Sequence, residues 1–167
     1  TYSFFAIYAN IDDFDINGKY ILVTKRPEID RWIISELNRL IKEVDEAFGN
    51  YDATKAARNI SNFVNALLSN WYVRLTRRRF WKGVLSDDKL SAYHTLYECL
   101  NKVCRLMAPL APFFADRLFL DLNKENQSEE KKSVHLTLFP LSNEDHRDIE
   151  LEKKMNYARE ISSLALS

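Results

Sequence analysis

Pro27-Glu-Ile-Asp-Arg-Trp-Ile-Ile-Ser-Glu-Leu-Asn-Arg-Leu-Ile-Lys-Glu-Val-Asp-Glu-Ala-Phe-Gly49 decides the fold class. Ile29, Trp32, Ile33, Leu37, Leu40, Ile41, Val44 and Phe48 recur every three or four residues, the period of a helix with an apolar face. Pro27 stands where a helix accepts a residue lacking an N–H. Glu28 and Asp30 place negative charge on the first turn, and Gly49 stops the run. Such a helix must bury its apolar face against other elements.

The flanking segments supply those elements. Residues 1 to about 10 read as the end of a helix, and Ile11 to Arg26 as a loop with a tight turn at Asn17-Gly18. Asp52 is a good N-cap for a long helix that carries Ala56, Ile60, Phe63, Val64, Leu67, Leu68, Trp71, Tyr72 and Leu75. No Gly or Pro interrupts it before Gly83, so it could run about 45 Å at ~1.5 Å per residue. Ser86-Asp87-Asp88 opens a fourth helix that Pro109 ends, and Pro112 opens a shorter fifth. Lys124 to Lys132 is polar and charged. Ser133 to Pro140 reads as extended, and a last helix begins near Asn143. The fold expected is all-α, an up-and-down helical bundle with a short extended segment near 133–140. Residues 1–140 form the helical domain, and 141–167 a C-terminal helix leading to a following domain absent from this chain. The abrupt helical start at Thr1 and the apolar helical end at Ser167 read as the ends of an excised piece.

Composition sets outer bounds. Apolar residues make up 46% and charged residues 29%, which suits a folded globular chain. Three glycines and four prolines are too few for an all-β chain with many tight turns. Lys and Arg together equal Asp and Glu at 24 each, so a polyanionic partner must be argued from where the charges sit. Cys99 and Cys104 make no CxxC pair and read as reduced core residues of an intracellular, cytoplasmic protein. No apolar run approaches the ~20 residues of a membrane span. No glycine-rich phosphate loop, GxSxG or HExxH is present, and His94, His135 and His146 have no metal-like spacing. Catalytic residues, metal ligands and cofactor-binding residues are therefore all expected to be absent.

One stretch exceeds its structural explanation. Arg74, Arg77, Arg78, Arg79 and Lys82 place five cations in nine residues, interleaved with Phe80 and Trp81. Cations near a helix C-terminus complement its dipole at ~0.3–1 kcal/mol each, but one or two would suffice. On a wheel of ~100° per residue, Ile60, Val64, Leu67 and Trp71 form a core stripe that continues onto Arg74, Arg78 and Lys82. A core cannot hold unpaired cations. The helix is therefore expected to overhang the bundle past about Leu75. Asn70, Arg74, Arg77 and Trp81 fall in one narrow arc beside that stripe. Guanidinium forks suit phosphates, and Arg and Trp planes stack on unpaired bases, so the surface suits a single-stranded RNA loop. An acidic protein surface gripping the same cations is the rival reading.

Ser69-Asn-Trp-Tyr-Val-Arg-Leu-Thr-Arg-Arg-Arg-Phe-Trp-Lys-Gly83 resembles the isoleucyl-tRNA synthetases, in the branch shared by eukaryotes, archaea and some bacteria. Arg26 to Asn38, Met107-Ala-Pro-Leu-Ala-Pro-Phe-Phe-Ala-Asp116 and Ser133-Val-His-Leu-Thr-Leu-Phe-Pro140 resemble further segments of that family in order and spacing. Leu138 departs from it, standing where an acidic residue is common. The valine enzymes share the Trp71-Tyr72 pair but are less basic after it, which favours isoleucine. The resemblance implies the helical anticodon-binding domain of an ATP-dependent ligase, with ATP and Mg used in a catalytic domain outside this chain. It also implies that this piece is inactive alone and binds the anticodon stem-loop of tRNA(Ile) and the other domains of its parent enzyme. In the methionine relative, a tryptophan matching Trp71 stacks on an anticodon base. For Trp71 itself that role and a core anchor stay equally open. The candidate tRNA-binding residues are Asn70, Trp71, Arg74, Arg77, Arg78, Trp81 and Lys82.

Overall fold

The computed structural model describes residues 1–81, 83–124 and 132–166, the Leu166 side chain excepted. Helices α1 (Tyr2–Ile11), α2 (Glu28–Gly49) and α3 (Ala53–Asn62) come first. A π-helical stretch, π1 (Phe63–Val73), follows, with short turns α4 (Arg74–Thr76) and α5 (Arg78–Trp81). Helices α6 (Asp87–Met107), α7 (Pro112–Leu122) and α8 (Ile149–Leu166) complete the order. No strand occurs among the described residues, so the chain is an all-α bundle.

Helix α2 is the axis. It touches α3, π1, α6 and α8, and every residue from Trp32 to Asn38 is buried. A helix surrounded on all sides must bury polar positions too, and Ser35 and Asn38 are satisfied there, while the Trp32 indole N–H is buried without an acceptor. Asn38 donates to the Ile34 carbonyl at 2.9 Å, and the Ser35 hydroxyl donates to Glu152 on α8. Helix α6 is similarly enclosed from Lys89 to Leu96. The expected caps form. Asp52 accepts from the Lys55 N–H at 2.8 Å, and Ser86 from that of Lys89 at 3.3 Å. Gly83 leaves the long rod at φ +87°, a conformation that L side chains rarely adopt. The turn in the first loop also forms, with the Gly18 N–H donating to the Asp15 carbonyl at 3.2 Å. Cys99 and Cys104 are unpaired and buried, and burial pushes the Cys104 thiol up to about 12.

Two expectations of the C-terminal quarter are corrected. Residues 133–140 are not extended throughout, because Val134–Leu136 winds into a 3₁₀ turn. Asp116 of α7 imposes it, accepting from the Ser133 hydroxyl at 2.7 Å and the Val134 N–H at 2.9 Å. The last helix starts at Ile149, beyond Asn143. Asn143 caps only a separate 3₁₀ turn, Glu144–His146, and is tied to the Asn38 side chain of α2 at 2.8 Å. Asp148 performs the cap for α8, accepting from Leu151 N–H at 2.9 Å. The polar segment from Lys124 to Lys132 lies largely outside the described residues.

Candidate nucleic-acid interface

The rod from Ala53 to Trp81 keeps a right-handed helical backbone through its junctions at Phe63, Arg74 and Arg77. It does not overhang the bundle, and the expectation that it would is overturned. Its buried residues are Ala56, Ile60, Phe63, Leu67, Leu68, Tyr72, Thr76 and Phe80. On an α-helix the four-residue series from Leu68 to Phe80 would drift by about 40° per step. The wider turn of π1 removes much of that drift, so the core face persists to the end of the rod. Phe80 seals that end, edge-on to Tyr93 at 4.9 Å and to Phe4 at 5.1 Å between ring centroids.

The same geometry sorts the cations. Arg79 turns inward. Its guanidinium donates to both oxygens of Asp30 at 2.7 and 2.9 Å, and its Nε donates to Asp88 at 3.0 Å. The Tyr72 hydroxyl also donates to Asp30, at 2.7 Å. Asp30 is wholly buried, so this bidentate pair joins the start of α2 to the end of the rod. Burial works against the Arg79 charge, but the hydrogen bonds and charge of Asp30 outweigh it and hold the guanidinium protonated. The Tyr72 phenol is held well above its ordinary range, by burial first and by the Asp30 charge second.

Arg79 thus takes up both Asp30 and Asp88, and the other arginines of the rod point elsewhere. Arg74, Arg77 and Arg78 are exposed and form no ion pair with a described residue. With Trp81 they stand at i, i+3, i+4 and i+7, on one face. The Arg77 guanidinium lies over the Trp81 ring, 5.2 Å from its centroid, and Trp81 is 46% exposed. Asn70 is exposed one turn earlier. Five of the seven candidates therefore share an open cationic and aromatic surface. Trp71 stands apart, half-buried on the flank of the rod, with its indole N–H buried and unpartnered. Lys82 lies outside the described residues. The structural role of Asp30 and Arg79 escaped sequence reasoning, since nothing local distinguishes Arg79 from its neighbours.

A sequence model of the anticodon-binding domain of tRNA ligases matches residues 30–167. The chain belongs to that family. Over all 167 residues it is 53% identical to an isoleucine-tRNA ligase of Bacteroides thetaiotaomicron, of which it covers 14%. It is 54% identical to that of Porphyromonas gingivalis, again over the whole chain and 14% of the relative. A Dehalococcoides mccartyi isoleucine-tRNA ligase is 48% identical over 99% of this chain and 16% of its own length. The chain thus spans about one seventh of the curated relatives it matches. The resemblance read from Ser69–Gly83 and the three other segments agrees with these matches. No group of three or more His, Cys, Asp or Glu among the described residues could hold a metal ion. No described helix is long and apolar enough to cross a membrane.

Proposed function

We propose that this chain is the part of an isoleucine-tRNA ligase that grips the anticodon stem and loop of tRNA(Ile). The parent enzyme joins isoleucine to that tRNA in the cytoplasm, with ATP and Mg acting in segments outside this chain. The observation that carries the reading is the face formed by Arg74, Arg77, Arg78 and Trp81. It holds three cations without an acidic partner among the described residues, and a guanidinium already stacked on an exposed indole. Cations left unpaired at a protein surface suit phosphates, and a free ring face suits an unstacked base. Family membership supplies the class of RNA.

The test is the affinity of the chain for a labelled anticodon stem-loop of isoleucine tRNA, measured by fluorescence anisotropy from ~50 to ~200 mM salt. Affinity should fall steeply with salt. Changing Arg74→Ala and Arg77→Ala together should weaken binding several-fold and lower the salt slope by about 1.4, at ~0.7 for each phosphate of a single strand that is no longer neutralised. Unaltered binding and slope in the double variant would remove this face from the interface. Competition by an acidic protein surface but not by tRNA would favour a protein partner.

A further inference from the structure

A cleft of about 470 Å³ opens between α1, the loop that follows it and the end of α7. Its floor is apolar. Phe5 meets Phe14 and Tyr97 there, each at 6.2 Å between ring centroids. Ala6 and Ala9, on the same face of α1, are too small to fill the space before them. Separate anchors on α6 hold the two walls apart. On the loop side, Asp12 is bound by Lys89 at 2.6 Å and by the Tyr93 hydroxyl, and Phe14 stacks on Tyr93 at 4.8 Å. Further along that loop, His94 Nε2 bonds the Lys19 carbonyl at 3.0 Å. On the α7 side, the Tyr97 hydroxyl donates to Asn123 at 2.7 Å, and Asn123 donates to the Phe119 carbonyl at 2.7 Å. Closing the walls on one another would break bonds of this set, so the cleft is preformed.

Its charge is one-sided. Helices α1 and α7 both end at the cleft, and neither has a basic residue in its last turn. A helix C-terminus carries partial negative charge that a cation ordinarily complements. Carboxylates stand there instead, Asp13 and Asp15 just past the end of α1 and Asp121 in the last turn of α7. Asp121 is paired with Arg117 at 3.1 Å and with Lys124 at 3.3 Å. Asp13 and Asp15 are exposed and form no ion pair with a described residue. Asp15 accepts from the Asn17 N–H at 2.8 Å, a bond that leaves its charge unneutralised.

Two unpaired carboxylates over an aromatic floor favour a cation with a flat, weakly hydrated body. A guanidinium has that shape and an ammonium does not. The cleft follows α1 from Tyr2 to Asn10, about 12 Å at ~1.5 Å per residue. That is roughly the length of three extended residues. Asn10, exposed at the rim, makes no side-chain bond to a described residue, so its amide is free to serve a peptide backbone.

We propose that this cleft binds an arginine side chain presented by an extended peptide segment, with the guanidinium held by Asp13 and Asp15 over the Phe14 and Tyr97 rings. The site is separate from the cationic face of the rod and does not depend on RNA binding there.

The test titrates the isotope-labelled chain with three probes and follows its backbone amide chemical shifts. The probes are acetyl-Gly-Arg-Gly-amide, its citrulline counterpart, in which a urea replaces the guanidinium, and propylguanidinium, the bare side chain. The arginine peptide should shift the amides of residues 10–16 and 121–124 and saturate below ~10 mM, the modest affinity that exposed charge pairs supply. The citrulline peptide should bind about fivefold more weakly or worse, and propylguanidinium about threefold more weakly. Asp13→Asn and Asp15→Asn should each weaken the arginine peptide about two- to fivefold. Their thermal midpoints should stay within about 2 °C of wild type, since both side chains are exposed. Shifts that do not saturate, equal binding of the arginine and citrulline peptides, or wild-type affinity in both variants would overturn the proposal. Propylguanidinium binding as tightly as the peptide would overturn it too, by showing a site for a free cation.

Discussion

Asp30→Asn is the perturbation that best tests how the interface is held. The substitution keeps the shape of the side chain and removes a wholly buried negative charge that binds Arg79 through two hydrogen bonds and Tyr72 through a third. Removing one partner of a buried ion pair costs ~3–5 kcal/mol, because the other charge is left desolvated. Here the low end applies. The Arg79 side chain is 15% exposed and keeps Asp88, itself 56% exposed, at 2.9 Å. A loss of about 3 kcal/mol corresponds to a thermal midpoint lowered by roughly 6–12 °C, at ~2–4 °C per kcal/mol for a chain of this size. Thermal unfolding followed by far-ultraviolet circular dichroism reads it directly. Arg79→Met should cost a comparable amount by stranding Asp30. The double variant should cost less than the sum of the two by more than ~1 kcal/mol, since the second change removes the charge the first left unpaired. A midpoint for Asp30→Asn within about 2 °C of wild type, or strictly additive variants, would refute the strut.

Two further outcomes are expected. Trp81→Ala should change stability by less than ~1 kcal/mol, its ring being nearly half exposed. It should still weaken stem-loop binding at least fivefold, since a stacked base contributes ~1–3 kcal/mol, and equal binding would exclude stacking there. His94 is almost fully enclosed, with Nε2 bonded to the Lys19 carbonyl at 3.0 Å and Nδ1 unpartnered, and burial holds its pKa below the ordinary 6.5. The unfolded chain therefore binds the proton more readily. Stability should be full above pH 6.5 and fall as the pH drops below it, a slope that His94→Gln should flatten in denaturant titrations between about pH 5 and 7.

The helices were legible because their signals are local. Period, Asp52, Ser86, Pro109 and Gly83 act within a turn or two, and the structure places each element end close to where they stand. The misread segments are those claimed by distant partners. Asn143 has the chemistry of a helix cap, yet its N–H is held by Asn38, 105 residues earlier, and α8 waits for Asp148. Ser133–Pro140 alternates like a strand, yet Asp116 of α7 captures the Ser133 hydroxyl and the Val134 N–H and winds the backbone. The open face of Arg74, Arg77, Arg78 and Trp81 was legible, but the placing of the Arg159 guanidinium of α8 over the Trp71 ring was not. No spacing links that arginine to Trp71, 88 residues earlier, without the path of α8.

The rod shows why a correct exposure can follow from an incorrect geometry. The wheel assumed ~100° per residue and carried the core stripe onto Arg74 and Arg78, which forced an overhang. The π1 stretch rotates less per residue, so Tyr72, Thr76 and Phe80 inherit the core and the rod stays packed. Arg74 and Arg78 are exposed all the same, because the penalty for burying an unpaired cation does not depend on which helix carries it. That penalty does not determine which cation is paired. Arg77, Arg78 and Arg79 are identical to any local rule, and the rod's rotation aims only the third at Asp30. A carboxylate on α2, 49 residues before Arg79, therefore holds the end of the rod in place and draws one of that end's four arginines inward.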